Sequence, residues 1–553
     1  MGQQKILKQI PLAPWYLAGV QKGYKNRSIM SNIFNLIPQP VSVLAGSGSF
    51  MMTDSTPLNA GDGCQKAADF AVKTFHLAAE GEAPSLNLNL VDGSTPAEGY
   101  KLSVTPEAIT VEASDEAGLF HAIQTLRQLL PAEHAAQRTA DCEIPAVTIE
   151  DAPAFSWRAM HLDVCRHFFD VEFVKKYIDL LAFHKMNIFH WHLTEDQGWR
   201  MPIDAYPKLA EVSAWRESTP LPENRHEQDG KPYGGIYTKD EIREVVAYAD
   251  SLGITVMPEI ELPGHTIAVL AAYPELGCTG ENYKVRTEWG IEDDVFCAGN
   301  DQVFEFLETV FDEVLELFPS EYIHIGGDEC PKVRWQECDT CQTRIKEEGL
   351  KNEDELQSWF VSKIGHYLAG KGRKMIGWDE ILEGGLPDGA AVASWRGTEG
   401  GIEAASQGHK VVMTPTTHCY FDYYQIEDRD SEPPAFFWPI PEEHRKPGMP
   451  AFWGLVTLER TYSYDPLDGV PKDFQNMIMG GQANLWTEYV PTNEQAEYQT
   501  YPRGSAIAET LWSPMPDNGR DFDAFISRLA YHLKRLDSLG VNYRVPKEHL
   551  EQS

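Results

Sequence analysis

Apolar residues recur along most of this chain in two alternating rhythms. Short runs of β-branched and aromatic residues fall at 159–164, 187–193, 254–260, 322–325, 374–378, 391–395, 410–414 and 477–485. Between them lie longer stretches, including 171–183, 239–251, 303–317 and 353–368, where apolar positions return every three or four residues as on one face of a helix. Strands interleaved with helices predict a parallel sheet, because each parallel connection must cross back over it. Eight such runs in succession predict an α/β fold closed into a (β/α)8 TIM barrel. No glycine-rich phosphate loop follows a strand to favour an open, doubly wound sheet.

A smaller α+β N-terminal domain is expected ahead of the barrel. Residues 100–104 and 108–113 alternate like two arms of a hairpin, and 118–126 has helical spacing. Leu36-Ile37-Pro38 and Asp151-Ala152-Pro153 punctuate its ends. The expected division is a disordered leader over 1–35, an α+β domain over 36–150 and the barrel over 151–545. Within the leader, Lys5 and Lys8 precede an apolar stretch that faintly resembles a signal peptide, but Pro11 and Pro14 interrupt it. A disordered leader, or an upstream extension of a start near Met30, is preferred. Localisation stays open: cytoplasmic as read, periplasmic or secreted if the N-terminus is misassigned.

Composition narrows the partners. The 553 residues carry 47 Lys plus Arg against 83 Asp plus Glu, a formal net charge of -36. That charge disfavours nucleic acid, anionic membrane surfaces and polyanionic substrates. No run of 18 apolar residues occurs, so membrane insertion is not expected. The nine cysteines are too few for a disulfide scaffold. Cys278 and Cys297 flank a loop-like insert and offer one pairing. Cys338-Asp339-Thr340-Cys341 offers a metal or a bridge, but no second CxxC completes a zinc site, so loop packing is expected, with no metal and no cofactor.

The working face of such a barrel is the C-terminal end of its strands. Polar and aromatic residues collect there: Asp163 to Arg166; His192-Leu193-Thr194-Glu195-Asp196; Glu259 to His265; Asp328-Glu329; Trp378-Asp379-Glu380; Trp395-Arg396; Tyr420-Phe421-Asp422; and Trp486-Thr487-Glu488. Adjacent carboxylates repel, so Asp328-Glu329 after an apolar run and a Gly pair suits chemistry, with a solvated acidic turn as the other reading until the remaining strand ends are considered. Three tryptophans around one mouth suit a sugar, whose C–H faces stack on flat rings while carboxylates and Arg grip the hydroxyls.

The motifs HIGGDEC, HWHLTEDQGWR, EIELPGH, IGWDE and LWTE, in this order and spacing, resemble the family 20 glycoside hydrolases, the β-N-acetylhexosaminidases, over roughly residues 36 to 540. The resemblance implies an exo-acting hydrolase that releases terminal β-linked N-acetylglucosamine or N-acetylgalactosamine from small oligosaccharides or glycan termini. Retention would come from the substrate's own 2-acetamido oxygen, so the general two-carboxylate scheme does not apply. By resemblance, Glu329 is the general acid and base and Asp328 orients the acetamido group. Arg166, Asp422 and Glu488 would hold the terminal sugar, Trp378, Trp395 and Trp486 would wall its pocket, and Tyr420 would bond the acetamido carbonyl. His265 would couple the acid to Glu195 or Asp196. Glu195 departs from a frequent Asp and gives a longer reach, and Glu261, also where Asp is frequent, is read as supporting. A homodimer stays open. Two rival readings are a metal-dependent amidohydrolase using His190 and His192, and a sugar-binding barrel without chemistry. Long inserts carrying Tyr423, Tyr424, Trp438 and Trp453 are places for further substrate contacts or simple packing.

Overall fold

The computed structural model describes residues 34–78, 84–439 and 452–550, so the leader expected over 1–35 lies outside the described residues apart from its last two. The N-terminal part is a six-stranded sheet built from β1 (Ser42–Met52), β2 (Leu58–Ala60), β3 (Ser85–Leu90), β4 (Tyr100–Val104), β5 (Ala108–Ala113) and β6 (Cys142–Asp151), in the order β1-β6-β4-β5-β3-β2. The expected hairpin is β4 with β5, antiparallel with Leu102 opposite Val111. Helices α1 (Gln65–Phe75) and α2 (Glu116–Leu129) accompany the sheet, and Asp115 starts α2 by accepting from the Gly118 N–H at 2.9 Å.

Eight parallel strands then close into a barrel: β7 (Trp157–Asp163), β8 (Ile188–His192), β9 (Thr255–Leu262), β10 (Tyr322–Gly326), β11 (Lys374–Trp378), β12 (Ala391–Ser394), β13 (Lys410–Met413) and β14 (Ile478–Leu485). β14 returns to β7, with Gly480 opposite Trp157 and Leu485 opposite Leu162. Crossover helices α3 (Val171–Phe183), α4 (Lys239–Asp250), α5 (Asp301–Leu317), α6 (Glu353–Gly370) and α7 (Glu399–Ser406) lie between strands, and α8 (Arg503–Trp512) and α9 (Phe522–Ser538) follow the last. Alternation along each strand divides the core. Trp157, Ala159, Met257, Ile376, Trp378, Ala391 and Ala393 fill the barrel, while Met160, Leu162, Phe189, Trp191 and Met375 join the larger core under the helices. Large and small interior residues together leave a packed floor, so only the strand ends open outward.

Buried charge ties the two parts together. Lys185 Nζ donates to Asp151 at 2.9 Å, and Arg158 donates to Glu98 at 2.6 Å with His121 Nε2 a further 3.3 Å contact on the same carboxylate. Burial opposes charge on Glu98, but Arg158 and His121 together outweigh it and hold the carboxyl down at about 2.

Candidate active site

Strand β10 ends at Gly326, and the chain turns through Gly326 (φ +63°) and Gly327 (φ +91°) before reaching Asp328 and Glu329. A Cβ on Gly326 would lie 1.6 Å from Glu261 Oε2, so the close packing of the buried Glu261 requires glycine here. Glu329 itself has φ +42° and His265 φ +52°, a left-handed backbone that non-glycine residues adopt at a cost. The turn splits the adjacent acids. Asp328 is buried at 8 % exposure, whereas the Glu329 side chain stays one-third exposed.

His265, from the loop after β9, lies between them and a second pair of acids. Its Nε2 is 3.6 Å from Asp328 Oδ2 and 3.5 Å from Glu329 Oε2; its Nδ1 is 2.8 Å from Glu195 Oε1 and 3.3 Å from Asp196 Oδ2. Burial opposes charge on His265, but Glu195 and Asp328 outweigh it and raise the imidazole well above its ordinary value. Asp196 is pinned in turn, its Oδ1 accepting from the Ile267 N–H at 3.0 Å. Burial and the neighbouring Glu329, Glu259 and Glu195, partly offset by His265, raise Asp328 to about 7. Its Oδ1 is buried with no hydrogen-bond partner among the described residues.

Arg166 closes one side. Its guanidinium donates to Gln197 Oε1 at 3.0 Å and Asp163 Oδ2 at 3.3 Å, lies 3.0 Å from Glu195 Oε2, and sits 5.0 Å from the centre of the Trp486 ring. Asp422 and Glu488 are both raised, by burial foremost; Glu488 adds to the effect on Asp422, while Arg166 partly offsets it on Glu488. Asp422 Oδ1 also lacks a partner among the described residues. The aromatic rings pack against one another. Trp395 stacks on Tyr420 with centroids 6.1 Å apart, and Trp378 and Trp486 lie 5.9 Å apart. Trp395 Nε1 donates to Glu380 Oε2 and Trp378 Nε1 to Glu259 Oε1, each at 2.8 Å. Every site residue expected from the sequence thus gathers at one end of the barrel.

Against known proteins, the model described as glycosyl hydrolase family 20, catalytic domain, matches residues 155–515, and that described as glycosyl hydrolase family 20, domain 2, matches 34–152. The chain belongs to glycosyl hydrolase family 20. A β-hexosaminidase of Porphyromonas gingivalis is 43% identical over 93% of this chain, which spans 64% of that relative's length. One of Vibrio furnissii is 35% identical over 86% of the chain and 76% of its own length. Among solved structures, a family 20 exo-β-N-acetylglucosaminidase of Vibrio harveyi in complex with N-acetylglucosamine superposes with a TM-score of 0.81 at 33% identity, covering 93% of this chain and 78% of that one. A β-N-acetylhexosaminidase of Bacteroides fragilis gives 0.77 at 31% identity, over 92% and 96% of the two chains.

The family 20 match does not favour the amidohydrolase alternative, and both of its histidines have carboxylate partners. His190 Nε2 lies 3.0 Å and His192 Nδ1 2.5 Å from the same buried Glu259 oxygen, and His192 Nε2 faces Glu195 at 3.3 Å. Burial disfavours charge on His192, but Glu259 and Glu195 together outweigh it and raise the imidazole to about 10. The hub carboxylate Glu259, together with Gln197 and Glu380, was not singled out from the sequence. Each lies within a quoted motif, but its partner comes from another part of the barrel. Cys278 and Cys297, whose pairing the sequence left open, are free thiols, as are all nine cysteines. Of the insert aromatics, Trp438 and Trp453 face each other across a short antiparallel pair and are exposed, whereas Tyr424 is buried.

Proposed function

We propose that this protein is an exo-acting glycoside hydrolase that releases terminal β-linked N-acetylglucosamine or N-acetylgalactosamine from oligosaccharide or glycan ends, with retention and with the substrate supplying the nucleophile. The observation that carries the reading is the buried Asp328 carboxylate, one oxygen unpartnered, beside the more exposed Glu329. An acetamido N–H satisfies that oxygen, and the carboxylate then turns the acetamido oxygen toward the anomeric carbon. As the new C–O bond forms, the glycosidic C–O bond breaks and Glu329 gives its proton to the departing oxygen. Positive charge spreads over the ring and the new five-membered cycle, where the Asp328 anion stabilises it. Glu329, now ionised, takes a proton from the water that opens the cycle at the anomeric carbon. Two displacements leave the anomeric configuration unchanged.

Supporting this, His265 sits within 3.6 Å of both acids and gives its charge to keep Asp328 ionised in use. Arg166, Asp422 and Glu488 present charged groups suited to a terminal sugar's hydroxyls, and Trp378, Trp395, Trp486 and Tyr420 a wall suited to its acetamido group. The same reading makes residues 36–150 a supporting domain and 151–545 the catalytic barrel. A panel of defined β-linked N-acetylhexosaminyl oligosaccharides, with product lengths followed in time, tests it. One monosaccharide leaves at a time from the non-reducing end; internal cleavage, or no cleavage of any member, overturns the reading.

A further inference from the structure

We propose that Cys278, Cys297, Cys338 and Cys341 form a tetrathiolate Zn2+ site that staples the loop after β9 to the segment following the Asp328-Glu329 pair. Their four sulfurs all lie within 4.8 Å of one another. Cys297 Sγ is 3.7 Å from Cys338 Sγ and 3.6 Å from Cys341 Sγ, and Cys278 Sγ is 3.9 Å from Cys341 Sγ. Four sulfurs each about 2.3 Å from a central zinc ion stand about 3.8 Å apart at the corners of a tetrahedron. A disulfide holds its sulfurs at about 2.05 Å. Cys297 is almost equally close to two partners, and so is Cys341. That sharing is the geometry of one centre with four ligands, not of two separate pairs.

The surroundings fit the same centre. Cys297 and Cys341 are buried and the other two half-buried, which limits access of water and oxidants. The Thr340 hydroxyl lies 3.0 Å from Cys338 Sγ and 3.4 Å from Cys297 Sγ, where it can donate to a thiolate ligand. The two loops touch through backbone: a Cβ on Gly299 would meet the Thr340 carbonyl carbon at 2.3 Å and the Cys341 nitrogen at 2.5 Å. Neighbouring links run between the same loops, with Trp335 Nε1 donating to the Phe296 carbonyl at 2.9 Å and Arg334 Nε to Asp294 at 2.7 Å. The sequence showed half of this set as Cys338-x-x-Cys341. The other half comes from Cys278 and Cys297, too far apart in the chain to read as a CxxC and brought in by the fold. One loop begins just beyond His265 and the other just beyond Glu329, the two site residues with positive φ. Zinc here is structural: it contributes no open ligand position and no step of hydrolysis.

The test uses the full chain purified without chelators. Elemental analysis is expected to give about one zinc per chain, and X-ray absorption a single shell of four sulfur neighbours at about 2.3 Å. Cys338→Ser and Cys341→Ser should each lose the zinc and lower the Tm. Should these variants fail to fold, the wild-type absorption spectrum still decides. A denatured, unreduced chain lighter by four hydrogens, as two disulfides require, or a reduced chain that takes up no zinc from added zinc salt, would overturn the proposal.

Discussion

Asp328→Asn separates catalytic from structural demands on one residue. The substitution keeps size and one acceptor oxygen but removes the charge that the proposed mechanism needs. An anion about 4 Å from a developing unit positive charge, at an effective dielectric of about 20, is worth roughly 4 kcal/mol, or on the order of 10³ in rate. With an aryl β-N-acetylglucosaminide, kcat should therefore fall about 10²- to 10³-fold while KM moves only a few-fold. Stability should move the opposite way. Asp328 is raised from 3.8 to about 7 in the folded protein, so the fold holds that proton more tightly than the unfolded chain does. The fold consequently loses stability as pH rises from about 4 to about 7, and the full cost, on the order of 4 kcal/mol at most, is present above pH 7. D328N never carries that charge. Its Tm should exceed the wild type's at pH 8, with the difference shrinking toward pH 4. Turnover within about five-fold of wild type, or a variant less stable than wild type at pH 8, would refute the reasoning.

Glu329→Gln should lower kcat/KM by about 10²- to 10⁴-fold, and less for a leaving group that departs without a proton than for an alkyl glycoside; equal losses across leaving groups would remove its role as acid. Arg166→Lys forfeits a fork that reaches Gln197, Asp163 and Glu195 at once, and should cost about 1–3 kcal/mol in kcat/KM, chiefly through KM; an unchanged KM would count against a binding role. For Glu98, held down at about 2 by Arg158 and His121, the stabilisation is present above its ordinary 4.5 and is lost as pH falls toward 2. Glu98→Gln should accordingly lower the Tm at pH 7, by the equivalent of about 3 kcal/mol at most, with the gap closing near pH 2; a gap independent of pH would contradict this.

The barrel was legible because its buried strands read as short, mainly apolar runs between helical stretches; 374–378 and 171–183 coincide with β11 and α3. The site was legible for a related reason. Barrel enzymes work where such runs stop, so the strand-end positions of Asp328, Trp378 and Trp486 could be read without coordinates. Partnership across strands was not legible. Glu259 stood among the strand-end residues without a partner until its register beside His192 and His324 brought both imidazoles to its carboxylate. The Gly326 turn that buries Asp328 and exposes Glu329 depends on Glu261 packing behind it, a contact between β9 and β10. Cys278 and Cys297 likewise became interpretable only once the fold set them against Cys338 and Cys341.

The central claim is that the bound sugar's own acetamido oxygen attacks the anomeric carbon, with Asp328 positioning it. Replacing the acetyl methyl hydrogens by one, two and three fluorines weakens that oxygen as a nucleophile while changing the group's size little. The account predicts that kcat/KM for an aryl glycoside falls steeply with each added fluorine. A rate independent of fluorine number would contradict it.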